Sequence, residues 1–119
     1  MLEVYKNIKG NSTGDNQYVI LSKDIKNVGI ITLTQFLISN TATSTALLCD
    51  IYIRKEIGRN PKNEIVYGSY YILKNANIPS STSLMLTDSK PFVYKTGQEL
   101  VVKINGDSTM TGDIILNYE

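Results

Sequence analysis

Carboxylates stand at Asp24, Asp50, Glu56, Glu64, Asp88, Glu99, Asp107 and Asp113, and a pair of them is the apparatus of glycoside hydrolysis. Most fall in segments that read as turns or strand ends, where solvation accounts for a charge without any chemistry. Asp107 and Asp113 offer hard oxygens to a cation, but their spacing matches no calcium loop. The chain has no histidine, so neither a Ser–His–Asp nor a Cys–His arrangement is possible. The commonest general acid/base and the commonest metal ligand near neutral pH are lost with it. The single cysteine, Cys49, rules out an internal disulfide and a Cys-rich zinc site. No GxxxxGK or GxGxxG phosphate cradle occurs. The residues therefore read as those of a non-enzymatic chain without catalytic, cofactor-binding or metal positions.

Binding chemistry is better represented. The tyrosines Tyr52, Tyr67, Tyr70, Tyr71 and Tyr94 combine large apolar faces with a polar tip, as protein interfaces favour. Aromatic faces also stack on sugars, and a carbohydrate-binding module or adhesin is the alternative. Such platforms often include tryptophan, which is absent here. With 12 basic against 11 acidic residues there is no strong field to steer nucleic acid or an anionic membrane. Arg54, Lys55, Arg59 and Lys62 form a local basic patch that reads as a solvated strand end. Residues 1–10 carry no apolar signal core, and no later segment approaches the length needed to cross a bilayer. Partners are expected to be proteins, with neither nucleic acid nor membrane among them.

The elements that hold these residues are strands. Leu47, Cys49, Ile51 and Ile53 share one parity, as do Leu100, Val102 and Ile104, and again Ile114, Leu116 and Tyr118. Period-two alternation describes a sheet with one buried face. Cys49 lies on such an apolar row, where a free thiol behaves as a small core hydrophobe. Residues 30–40 break parity: Ile31 and Leu33 share one face, whereas Phe36 and Ile38 fall on the other phase. One extra residue reconciles them, and a bulge is predicted at residues 34–35. Residues 40–44 form a small-residue turn, joining this strand to the run from Leu47 as an antiparallel hairpin. Residues 55–63, with Gly58, Asn60 and Pro61, read as a loop.

In the tyrosine-rich strand over 64–78, Tyr67, Ser69, Tyr71 and Leu73 share a parity opposite Val66, Tyr70 and Ile72. With both faces apolar, it is either a central strand under a second layer or one whose outer face meets a neighbouring chain. Further strands are predicted at 2–8, 17–22, 83–86, 92–94, 99–105 and 110–118, with turns at 23–29 and 88–91. The chain is thus one all-β domain over residues 1–119. It is an antiparallel β-sandwich of about eight short strands, jelly-roll or immunoglobulin-like.

Five segments carry a resemblance. They are Ile38-Ser39-Asn40-Thr41, Asp50-Ile51-Tyr52-Ile53, Ile72-Leu73-Lys74-Asn75 with Ile78-Pro79, residues 94–102, and the aromatic-ended strand over 114–118. In this order they resemble the small β-sandwich virion proteins of tailed bacteriophages, over about three quarters of the chain. The resemblance implies a non-enzymatic structural role in the virion: capsid decoration, neck, tail or baseplate. It also implies contacts with other virion proteins and with copies of the chain, as a homo-oligomer. Residues 1–28 are less family-like and are expected to serve attachment. Leu2, Val4, Tyr52, Tyr67, Tyr70 and Tyr71 are the interface candidates.

Overall fold

The parity break at residues 34–35 is a β-bulge, as expected. The computed structural model describes residues 2–22, 30–86, 93–95 and 97–119, and the side chains of Leu2, Ile30, Ile31 and residues 93–95 are outside what it describes. Among the described residues there are nine strands. β3 (Ile30–Asn40) shifts register against β9 (Thr111–Tyr118) between Leu33 and Gln35. The extra residue lets Leu33, Phe36 and Ile38 all reach the interior, where each is fully buried. The turns predicted at 23–29 and 88–91 lie outside the described residues.

The remaining strands are β1 (Leu2–Lys9), β2 (Asn16–Leu21), β4 (Leu47–Arg59), β5 (Ile65–Ile78), β6 (Ser83–Met85), β7 (Val93–Lys95) and β8 (Gln98–Ile104). They form two antiparallel sheets. One has the order β1-β9-β3-β6, with β7 also on β3; the other has the order β2-β8-β4-β5. Pairing follows one long folded ribbon: β1 with β9, β2 with β8, β3 with β6 and β7, β4 with β5. Rolling that ribbon adds the β3–β9 and β4–β8 pairs and closes the sandwich. This is the jelly-roll arrangement, and it decides between the two topologies left open by the sequence. The apolar rows of the two sheets meet in one core containing Phe36, Leu47, Ile51, Leu100, Ile104 and Leu116.

Two expectations are corrected. β3 and β4 are not a hairpin, because they lie in opposite sheets. Both rows point to the same core, and alternation alone cannot tell a sheet neighbour from a strand across the sandwich. Asn40 holds the crossing. Its Nδ2 donates to the carbonyls of Thr45 and Ile78, each at 2.9 Å, and its Oδ1 accepts the Ala42 N–H at 2.9 Å. Residues 55–63 are not all loop either. β4 runs on to Arg59 and β5 begins at Ile65, leaving a tight turn in which Asn60 Oδ1 accepts the N–H groups of Lys62 and Glu64.

Of the two settings left open for β5, the central one is excluded: it is an edge strand among the described residues. β8 accompanies β4 only as far as Lys55, so the far part of the β4–β5 hairpin extends beyond its sheet neighbour. Residues 2–9 and 16–21 are built into the two sheets as β1 and β2, with Ile8, Ile20 and Leu21 in the core. The described part of residues 1–28 is therefore built into the sandwich. Attachment through them would use the open side of β1, which is itself an edge.

Candidate protein-interaction face

The outer surface of the β2-β8-β4-β5 sheet carries a row that crosses all four strands. Val19 pairs with Val101, Val101 with Tyr52, and Tyr52 with Tyr71. Val101 is buried yet stands outside the core cluster, so the row forms a small apolar layer of its own. The Tyr52 and Tyr71 rings lie 5.3 Å apart at 48°. Tyr52 is only 6% exposed, and its hydroxyl donates to Gln17 Oε1 at 3.1 Å. Burial pushes that hydroxyl above its ordinary pKa.

One register step along, Arg54 ties the layer down. Its Nε donates to the largely buried Glu99 at 3.0 Å, and its guanidinium lies 4.4 Å from the Tyr67 ring centroid. Lys74 sits 5.0 Å from the Tyr71 ring. Arg54 is thereby engaged twice, and Arg59 donates to the Asn63 carbonyl. Of the basic patch read from the sequence, Arg54 and Arg59 are thus bonded on the hairpin, while Lys55 and Lys62 are exposed. The other face of the hairpin is apolar and open: Ile57 is 63% and Tyr70 62% exposed, with Val66 beside them. Tyr70 leans over Gly68, its hydroxyl 3.6 Å from where a Cβ would stand, and Ile57 Cγ2 is 3.2 Å from the same point.

The six interface candidates are thus scattered. Tyr52, Tyr67 and Tyr71 share the outer face, Tyr71 being half exposed, while Tyr70 lies on the opposite face of the hairpin. Val4 packs partly against the core from β1. Leu2 is paired through its backbone to Tyr118, far from the tyrosines in the ribbon. Sequence reading missed Val19, Val101, Arg54 and Ile57 as parts of these faces. Ile57 was hidden by its polar neighbours Glu56, Gly58 and Arg59.

The carboxylates serve the fold in several cases. Asp50 and Glu99 are buried, contrary to the solvated setting expected for them. Asp50 Oδ1 accepts the Asn75 N–H at 2.8 Å and Asn105 Nδ2 at 3.0 Å. That anchors Asn75, whose φ of 53° belongs to a register irregularity between β4 and β5. Asp107 accepts from the Thr109 N–H at 3.0 Å and from its hydroxyl, which holds its carboxyl below the usual range. Asp113 accepts from Asn7 at 2.7 Å. Among the described residues no three His, Cys, Asp or Glu side chains gather as metal ligands. An open depression between Tyr5, Lys6, Asn7, Asp113, Ile114 and Ile115 lies on the other sheet. Asp24 and Asp88 lie outside the described residues. Cys49 is fully buried, and burial first, then the Asp50 charge, pushes its thiol up to about 11.

No family model matches the chain, and no curated protein does. Among solved structures it is similar to a chain in the structure of infectious bursal disease virus, Gx strain, at 11% identity and a TM-score of 0.36. The match covers all of this chain and 38% of that one, so this chain spans well under half its length. A likeness so distant carries no functional weight, and function has to be read from the residues themselves.

Proposed function

We propose that this chain is a structural subunit of a virion, joined to other subunits by protein–protein contacts. Its specific role is that of a tailed-phage capsid decoration protein or an auxiliary neck or tail component. The observation that carries the contact-making part is the β4–β5 hairpin. It holds exposed Ile57, Tyr70 and Tyr71 on an open sheet edge, where a lone soluble domain gains nothing by displaying them. The particle itself is supported by the five sequence segments that resemble small phage virion proteins. Two residues in them, Asn40 and Asp50, hold the jelly-roll's crossing and its β4–β5 irregularity. The jelly-roll suits both capsid subunits and lectins, so fold alone does not choose.

The carbohydrate reading is weaker for a physical reason. A sugar platform needs free aromatic faces side by side, yet Tyr52 is buried, Tyr67 is covered by Arg54 and Tyr71 has Lys74 over it, which leaves Tyr70 on the opposite face of the hairpin. Peptide mass spectrometry of gradient-purified particles tests the proposal. The chain is expected at a fixed ratio to the major capsid protein, and its absence from particles would reject a virion role. Micromolar binding on a sugar array, abolished by Tyr70→Ala or Tyr71→Ala, would favour the alternative.

A further inference from the structure

We infer that the open edge of β5 pairs with the same edge of a second copy of this chain, antiparallel across a two-fold axis at Ser69. The first observation is what this edge lacks. Native edge strands are blunted by charge, proline, shortness or irregularity. β1 carries Glu3, Lys6 and Lys9, β6 and β7 have three residues each, and β2 is short with a register shift after Val19. Residues 65–71, Ile-Val-Tyr-Gly-Ser-Tyr-Tyr, contain neither a charge nor a proline and precede the slip at Ile72. No described strand pairs with their outer side.

The second observation is the symmetry of that run, and it names the occupant. Around Ser69 the outer-face row reads the same way in both directions: Tyr67 stands against Tyr71, within the stretch that ends at the slip at Ile72. On the other face Gly68 stands against Tyr70. A two-fold axis between antiparallel strands makes residue i meet j while j meets i. Hydrogen-bonding direction alternates along a strand, so partners must have the same parity and the axis must pass through a residue. Moving it to Gly68 would set Tyr67 against Ser69 and Val66 against Tyr70. Moving it to Tyr70 would set Gly68 against Ile72 and Val66 against Lys74. The axis at Ser69 is the one that pairs Tyr67 with Tyr71 on the outer face inside the regular stretch, a match for which a foreign strand has no use.

The side chains agree with this register. Val66–Tyr71 pairs with β4 in even register between the irregularities at Ile57 and Ile72. Tyr67 and Tyr71 lie on the outer face, beside Arg54 and Tyr52, so the pairing sets Tyr67 of each copy against Tyr71 of the other. On the opposite face Tyr70, which leans over Gly68 of its own copy, stands across from Gly68 of the other. A net charge of +1 per chain opposes the approach little. Two four-stranded sheets become one of eight strands.

This goes beyond the virion reading and does not depend on it: a dimer of a chain missing from particles would keep this inference and remove the other. Sedimentation of the full chain is expected to give twice 13.3 kDa. Ser69 is exposed, and Ser69→Lys, whose folding is checked by circular dichroism because Arg54 stands opposite it in β4, places two ammonium groups face to face and is expected to give a folded monomer. Ser69→Cys is expected to form a covalent dimer under mild oxidation, whereas Lys62→Cys at the hairpin turn is not. A wild type that stays monomeric, or that associates only with another virion subunit, would overturn the inference. So would a dimer indifferent to Ser69→Lys, or one that Ser69→Cys fails to cross-link.

Discussion

Alkylation of Cys49 measures how firmly the two sheets close on each other. The thiol is fully buried between Leu47 and Ile51 in β4, and its pKa is raised from the ordinary 9.0 to about 11. The thiolate is the reacting species. At pH 8 about a tenth of an unfolded thiol is ionised, against about a thousandth at the folded value, a suppression of roughly a hundredfold. That is the smallest protection expected, for breathing that admits reagent while the surroundings stay in place. If reagent enters only after global opening, a stability of about 5 kcal/mol protects by several thousandfold. Iodoacetamide labelling followed by intact mass, with and without guanidinium chloride, reads both limits. A native rate within tenfold of the unfolded rate would refute the placement of Cys49 between the sheets.

The same thiol makes stability fall in alkali. Well below pH 9 both states keep the proton and little is lost; from about pH 9 to 11 the unfolded state sheds it first, costing about 2 kcal/mol at pH 10.5. Urea midpoints should show that fall in the wild type and a smaller one in Cys49→Ala, and equal slopes in the two would refute it. Phe36→Ala, which empties the fully buried site behind the β3 bulge, is expected to cost about 3–5 kcal/mol in chemical denaturation. Asp50→Ala leaves the Asn75 N–H without its acceptor and the Asn105 amide with Asn75 Oδ1 alone, for an expected loss of about 1–3 kcal/mol by the same assay. Arg54→Ala removes both the partner of Glu99 and the cover of Tyr67; it should destabilise more than Arg54→Ala combined with Glu99→Gln, which no longer buries an unpaired charge.

Much of this fold is legible in the sequence because its strands bury one face each. The rows through Cys49, Val102 and Leu116 are where alternation puts them, and the slip between Leu33 and Phe36 shows as a change of phase. A second slip at Ile72 escaped notice, since apolar residues stand on both sides of it and leave no phase to break. Strand pairing is illegible for a different reason. β3 and β4 are adjacent in sequence yet face each other across the core, and β1 meets β9 more than a hundred residues away. The hairpin arm hides itself as well: where Lys55, Glu56 and Arg59 meet solvent on both faces, extended backbone has the composition of a loop. The site was half visible. Tyrosine spacing pointed to the right strand, but not to the burial of Tyr52, the cover on Tyr67, or Val19 and Val101 beneath them.

Electron cryo-microscopy of the intact particle tests the virion reading most directly. Jelly-roll density of this size is expected to repeat with the particle's symmetry, its β4–β5 hairpin against a neighbouring subunit and Tyr70 and Tyr71 covered. Particles without that density, or density in which the hairpin stands free in solvent, would contradict the account.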